Sequence, residues 1–290
     1  MILVTGAAGK TGLAVIRALA GLGQPVRALV YREEHIERVQ SAGADEWIVG
    51  DMRSSLILPR AVQGVRLIYH ICPNVSPDEA VIGQRIIAAA RAAQVERFVF
   101  HSVLHPQVEA MPHHWNKMHV ETMLFESGLA FTILQPSSYM QNILVQWRSI
   151  VADGIYEIPY AARTRLGMVD LEDVAAVAAA VLTEGDHAGA TYELAGPEVL
   201  SQTDVAGILA RRLERPVRLV EISRDTWAER AAGSGLGPYQ IDALLKMFTY
   251  YERYGFSANP RILTHLLGRE PTTFEMFVHH TPRRSRRDAT

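Results

Sequence analysis

Short apolar runs and stretches of helical period alternate from the first residues of the chain. Ile2 to Val4 is apolar and meets a glycine cluster at once, after which Leu13, Val15, Ile16, Leu19 and Leu22 recur on one broad helical face. Val26 to Val30 predicts a second strand, Glu34 to Ala42 a helix, and Glu46 to Val49 a third strand ending at Gly50-Asp51. The unit then repeats: Ser55 to Val62 has helical period, Arg66 to Ile71 reads as a buried strand, Glu79 to Ala93 as an Ala- and Ile-rich helix, and Arg97 to Phe100 as a fifth strand. A helix from about His114 to Glu126 and a strand from Ala130 to Leu134 complete a set of six. Such alternation forces right-handed crossovers and a parallel sheet covered on both faces. The predicted fold class is therefore α/β, a Rossmann doubly wound parallel sheet of order 3-2-1-4-5-6.

After Pro136 the rhythm loosens. Asp170 to Leu182 reads as a helix, Thr191 to Leu194 as a strand, Gln202 to Leu213 as a helix and Val217 to Val220 as a strand. This predicts a Rossmann domain over 1–135, a smaller mixed α/β carboxyl-terminal lobe over 136–280 with the helix at 170–183 packing back on the first domain, and a basic tail over 281–290. In open α/β sheets ligands bind outside the carboxyl ends of the strands, which is where the lobe is expected.

Composition narrows the partners. The chain has 290 residues, 48% of them hydrophobic and 21% charged, enough to bury a large core. A net charge of −2 provides no global field to steer it onto nucleic acid or an anionic membrane, so a small-molecule partner is expected. The single cysteine, Cys72, excludes an internal disulfide and four-thiolate zinc sites and points to a reducing, cytoplasmic compartment. No leader-like segment or spanning stretch is visible.

The loop Thr5-Gly6-Ala7-Ala8-Gly9-Lys10-Thr11-Gly12 sits between the first strand and the first helix. Its first glycine suits a tight exit from the strand, its second lets a pyrophosphate approach bare backbone, and its third lets the helix pack on the sheet, while the helix amino terminus favours negative charge. Gly6, Ala8, Gly9, Lys10, Thr11 and Gly12 are thus expected to bind a dinucleotide. At the end of the second strand, where an acidic residue would take the ribose hydroxyls of NAD, the chain has Tyr31-Arg32, so NADP(H) is favoured over NAD(H). Glu33 and Glu34 leave the NAD reading open, and Arg32 also reads as a solvated charge. Asp51 and the Met52 backbone are placed to read the adenine amino group; a turn or cap role for Asp51 is the alternative.

These residues, with Val95-Glu96-Arg97-Phe98-Val99, Ile133-Leu134-Gln135-Pro136 and Tyr192-Glu193-Leu194-Ala195-Gly196-Pro197-Glu198, resemble the NmrA-like family of atypical short-chain dehydrogenases/reductases. The resemblance implies a Rossmann domain with a small lobe and either of two functions: NADPH-dependent reduction of quinones, dyes, isoflavones or lignans, or non-catalytic sensing of NAD(P)H for a partner protein. It also implies a catalytic serine after the fifth strand and a Tyr-x-x-x-Lys pair on the following helix. Ser102 matches the serine and Lys117 the lysine, but His113 stands where the tyrosine would be. Lys117 is then expected to bind the nicotinamide ribose and, in a dry site near positive charge, to move protons; His113 offers an imidazole that titrates near neutrality, if a helix begins at Pro112.

Cys72-Pro73 falls where relatives contact the cofactor through backbone, and Pro136, Tyr139 and Asn142 where they line the cofactor and substrate pocket. Met140 and Trp147 would add apolar surface for an aromatic acceptor; the other reading makes Met140, Ile143, Leu144 and Trp147 a core stripe. His101, His105, His113, His114 and His119 crowd the same stretch without a recognised zinc-ligand spacing, and no metal is expected.

Overall fold

The computed structural model describes residues 1–282; residues 283–290, most of the expected basic tail, lie outside the described residues. The elements run β1 (Ile2–Val4), α1 (Lys10–Gly21), β2 (Val26–Val30), α2 (Ile36–Ser41), β3 (Glu46–Val49), α3 (Ile57–Ala61), β4 (Leu67–His70), α4 (Glu79–Ala92), β5 (Arg97–His101), α5 (Pro112–Phe125) and β6 (Phe131–Pro136). There follow α6 (Trp147–Asp153), β7 (Ile155–Ile158), β8 (Arg165–Gly167), α7 (Leu171–Thr183), β9 (Thr191–Leu194), β10 (Val199–Ser201), α8 (Gln202–Leu213), β11 (Arg218–Glu221), α9 (Arg224–Gly233), α10 (Pro238–Tyr254), α11 (Arg261–Leu267) and α12 (Phe274–His280).

The chain forms two compact units. One comprises Met1–Glu109, His113–Pro136 and Glu172–Glu193; the other comprises Ala110–Pro112, Ser137–Leu171 and the described residues from Leu194 on.

The first unit carries a seven-stranded sheet of order β3-β2-β1-β4-β5-β6-β9. The pairs among β1 to β6 are all parallel. Six positions thus follow the predicted order, and the seventh corrects the sequence reading, which assigned Thr191 to Leu194 to the small lobe. The Ile133 N–H donates to the Ala190 carbonyl at 2.9 Å and the Ser137 N–H to the Leu194 carbonyl at 3.0 Å, so the two strands advance together and β9 extends the sheet beyond β6.

One sheet face of this unit packs a continuous core of Leu3, Ile68, Phe98, Phe100 and Ile133 with Ile82 and Ile86 of α4 and Val120 of α5. Each such large side chain contributes roughly 1.5–3 kcal/mol on full burial. Gly83 brings α4 and α5 close: a Cβ there would lie 2.6 Å from Val120 Cγ2. The two helices that carry the polar groups of the site are thereby held side by side.

The second unit has its own core of Met140, Ile143, Trp147, Ile150, Val205, Leu209, Phe274 and Phe277. β11 pairs in parallel with β7, and β10 antiparallel with β8. α8 starts from a capping box in which Ser201 accepts from the Asp204 N–H and Asp204 accepts from the Ser201 N–H. No helix among the described residues is long and apolar enough to cross a membrane.

Candidate active site

The chain leaves β1 through Thr5, a fully buried residue that ties two neighbouring strand ends together. Its hydroxyl donates to the Ile71 carbonyl at 3.0 Å and accepts from the Ile71 N–H at 2.9 Å. With its one proton used there, the 2.9 Å contact to His70 is a donation from imidazole Nδ1. Nε2 of His70 is buried without a partner, and burial, with Lys117 nearby, pushes this imidazole down to about 3.

Gly6 then turns with φ +56°, and a Cβ on it would lie 2.8 Å from the Ile71 carbonyl oxygen. A Cβ on Gly12 would lie 2.5 Å from the Gly6 carbonyl oxygen and 2.6 Å from Ala7 Cα, so this glycine packs the helix on its own loop rather than on the sheet, as the sequence reading had it. Gly9 is the N-cap of α1, with φ −72° and ψ 164°, and no side chain caps the helix. Gly9 and Lys10 are exposed, Ala8 half-buried, Thr11 and Gly12 buried. A loop of small residues leading into a helix terminus that no side chain occupies fits a diphosphate.

At the end of β2, Arg32 is exposed, pairs with Glu34 at 3.2 Å and lies 5.6 Å from the Tyr31 ring centroid. Beyond β3, the Arg53 guanidinium beside Asp51 holds its carboxyl below the usual carboxylate range. The Arg53 N–H also donates to Asp51 Oδ1 at 2.8 Å, so Asp51 does make the turn contact. Met52 is buried in the core of the first unit. Cys72 is buried, and burial together with the Glu79 carboxylate pushes its thiol well up, into the inert range. Pro73 is exposed.

The helix does begin at Pro112, whose missing N–H costs nothing in the first turn. His113, Lys117 and Glu121 therefore recur every four residues along one side of α5. Lys117 Nζ donates to Glu79 Oε1 at 2.8 Å and to the His101 carbonyl at 3.3 Å, and it lies 5.4 Å from the Phe100 ring centroid. Its neighbour is thus a buried carboxylate, not the positive charge that the sequence reading expected. Ser102, directly after β5, donates to Glu121 Oε1, and Gln135 Nε2 of β6 donates to both Glu121 oxygens at 3.0 Å. Burial raises the Glu121 carboxyl above its ordinary range, against the opposing pull of those hydrogen bonds and of Lys117.

Of the histidines in this region His101 and His114 are buried, His105 and His113 half-buried, and His119 exposed. His101 Nδ1 shares a 2.7 Å hydrogen bond with the Tyr69 hydroxyl, and burial pushes His101 to about 3. His114 donates from Nδ1 to the Leu104 carbonyl at 3.0 Å. His113 is pushed to about 4 by burial and then by Lys117, and its Nδ1 is buried without a partner. The expectation that His113 titrates near neutrality is therefore corrected: desolvation of the imidazolium outweighs the intrinsic value. Among the described residues no group of three or more His, Cys, Asp or Glu is disposed to hold a metal ion.

Pro136 ends the His113–Pro136 segment of the first unit, and the next candidates belong to the second. There the Asn142 N–H donates to the Tyr139 carbonyl at 3.1 Å and its side-chain amide to Ser138 Oγ at 3.3 Å. Met140, Ile143 and Trp147 are buried in that unit's core while Leu144 is exposed, so three of the four follow the core-stripe reading, Met140 and Trp147 included.

The sequence reading does not single out Glu79, Glu121 or Gln135. Glu121 carried a usable signal, four residues beyond Lys117 on the same helix face. Glu79 and Gln135 carried none, because each meets its partner only through the packing of α4 and β6 in the sheet.

Comparison with known proteins gives a consistent picture. A model of the NmrA-like family matches residues 1–278. The chain is 32% identical over 253 residues to NAD(P)H azoreductase of Xenophilus azovorans, covering 86% of each. It is 27% identical over 282 residues to quinone oxidoreductase 2 of Escherichia coli, covering 97% of this chain and 98% of that one. A crystal structure of the NADPH-dependent quinone oxidoreductase from Escherichia coli complexed with NADPH superimposes with a TM-score of 0.83 at 26% identity, covering 97% of this chain and 99% of the other.

Proposed function

Because the chain belongs to the NmrA-like family, we propose that it is an NAD(P)H-dependent oxidoreductase that reduces a quinone-like or other conjugated aromatic acceptor. The observation that carries this reading is the setting of Lys117. An ammonium has three donors; one goes to Glu79 and one to the His101 carbonyl, leaving the third for a ribose hydroxyl of the dinucleotide. The pairing holds the amine in one place, so Lys117 binds and orients.

When bound, the reduced nicotinamide supplies the hydride. The chain supplies the rest. Gly6, Gly9 and Gly12 shape a loop that presents uncapped helical N–H groups to the diphosphate, with Ala8, Lys10 and Thr11 completing it. Arg32, exposed where an acidic residue would select NAD, favours the 2′-phosphate of NADP. Asp51, fixed by Arg53, is oriented to read the adenine amino group beside Met52. The backbone at Cys72 and Pro73 borders the cofactor, and Ser102 faces the acceptor. His113, neutral over the working range, can donate a hydrogen bond but does not serve as an imidazolium acid.

The test is fluorescence titration of the purified protein with NADPH and NADH, followed by a panel of quinones and azo dyes while the absorbance of the reduced nicotinamide is followed. We expect saturable binding, NADPH ahead of NADH, and oxidation that depends on the acceptor and fails in Lys117→Ala. Tight binding with no turnover on any acceptor would replace the reductase with a dinucleotide sensor.

A further inference from the structure

Reduction of a quinone consumes a proton, and the tyrosine that would supply it is absent from this chain. His113 in its place is neutral, Lys117 is bound to Glu79, and Cys72 is a buried thiol. Ser102 remains. The residue is 2% exposed and its hydroxyl is bonded to Glu121, which is itself 3% exposed.

The surroundings of Glu121 are unusual for a buried carboxyl. Ser102 faces it from the end of β5, Gln135 from β6, and Lys117 from the preceding turn of α5. The two strands thus offer only neutral partners, and the cation acts from one turn away without a hydrogen bond to it. A carboxyl so placed holds a proton more readily than one in water. Protonation also reverses the hydrogen bond. Ionised, Glu121 takes the Ser102 proton into its own hydrogen bond; protonated, it donates to Ser102 Oγ, and the serine proton is released to point elsewhere.

We propose that Glu121 and Ser102 form a proton relay that replaces the missing tyrosine, with Gln135 holding the carboxyl in place; this rests on the reductase reading above. As the hydride and its electron pair pass to the acceptor, the negative charge settles on an acceptor oxygen. That oxygen forms an O–H bond with the Ser102 proton while the Ser102 O–H bond breaks. Ser102 regains a proton from the Glu121 carboxylic acid, and the resulting Glu121 carboxylate is reprotonated from solvent. Glu121 acts through Ser102 and is a positioning and proton-storing residue.

Two measurements test the relay. In cofactor-free protein labelled with 13C at the glutamate carboxyls, one signal should titrate above the ordinary glutamate value of about 4.3 and be missing from Glu121→Gln. In steady-state reduction of a water-soluble quinone, Glu121→Gln and Ser102→Ala should each lower kcat on the order of a hundredfold with little change in KM. Wild-type kcat should fall as pH rises through the Glu121 titration; this limb should vanish in both variants, and Glu121→Asp should recover part of kcat. Should Glu121→Gln fail to fold, Ser102→Ala decides alone, since it removes one oxygen and leaves the carboxyl. Wild-type kcat and pH dependence in the variants, or a Glu121 carboxyl titrating in the ordinary range, overturns the relay. Absence of any wild-type turnover overturns the reductase reading and the relay with it, an outcome distinct from turnover that ignores the two substitutions.

Discussion

Lys117 and Glu79 are paired at 2.8 Å with side chains 15% and 3% exposed, an ion pair almost wholly withdrawn from water. Glu79 opens α4 and Lys117 lies on the second turn of α5, so the pair records how closely those helices approach.

Breaking this pair leaves one charge buried and alone. Lys117→Ala should lower stability by about 3–5 kcal/mol as well as abolish dinucleotide binding. The double variant Lys117→Met/Glu79→Gln, which removes both charges, should regain most of the stability but none of the binding. Urea denaturation of the three proteins checks this; equal destabilisation by the single and double variants would show that the charges are not coupled.

The three glycines of the first loop separate folding from binding. Gly6→Ala and Gly12→Ala drive a Cβ to 2.8 Å and 2.5 Å from backbone oxygens, the former also at a positive φ. Both should cost at least about 1–3 kcal/mol. Gly9→Ala meets only a 3.3 Å contact with the Gly6 carbonyl oxygen and has ordinary extended backbone, so stability should hardly change while NADPH affinity falls. Thermal melts beside fluorescence titrations distinguish the two classes.

Stability should decline on the acid side of neutrality. His70 and His101 are held at about 3 and His113 at about 4, against an ordinary value of 6.5. The unfolded chain therefore takes up protons that the folded chain refuses, and stability is lost as pH falls from about 6.5. At pH 5 each fully neutral imidazole should cost about 2 kcal/mol. The raised Glu121 carboxyl works in the opposite sense and softens the slope without reversing it. Denaturation midpoints at pH 7.5 and pH 5 measure the effect, and His70→Asn should reduce it by about one proton.

Cys72 should react with a disulfide reagent only as fast as the protein opens, since the thiol is buried and its thiolate is disfavoured by burial and by Glu79. Labelling rates in the native state, compared with unfolding rates, test this; rapid stoichiometric labelling would place the thiol in an accessible position.

Periodicity sufficed for the frame. The order of β1 to β6 and the glycine loop follow from short apolar runs that alternate with helical stretches, because each repeat can bury its faces in only one way. What was not legible depends on contacts distant in sequence. Glu79 and Lys117 stand 38 positions apart, and nothing in the intervening sequence carries a pattern that pairs them. The depressed titration of His113 arises from burial, which a histidine-rich segment does not announce. β9 was assigned to the wrong unit because its sequence specifies a strand but not the edge it joins. In the second unit β7 escaped notice because its four residues lack a flanking repeat.

The seventh strand has a consequence for the order in which the protein forms. β9 reaches β6 only after the chain has passed through residues 137–171, which belong to the second unit. Until then the Ile133 N–H lacks its Ala190 acceptor, and β6, whose six residues are all buried in the finished protein, is an open apolar strand. A nascent or truncated chain ending near Pro136 would expose an adhesive edge. Translation must therefore reach β9 before the first sheet is safe from pairing with its neighbours.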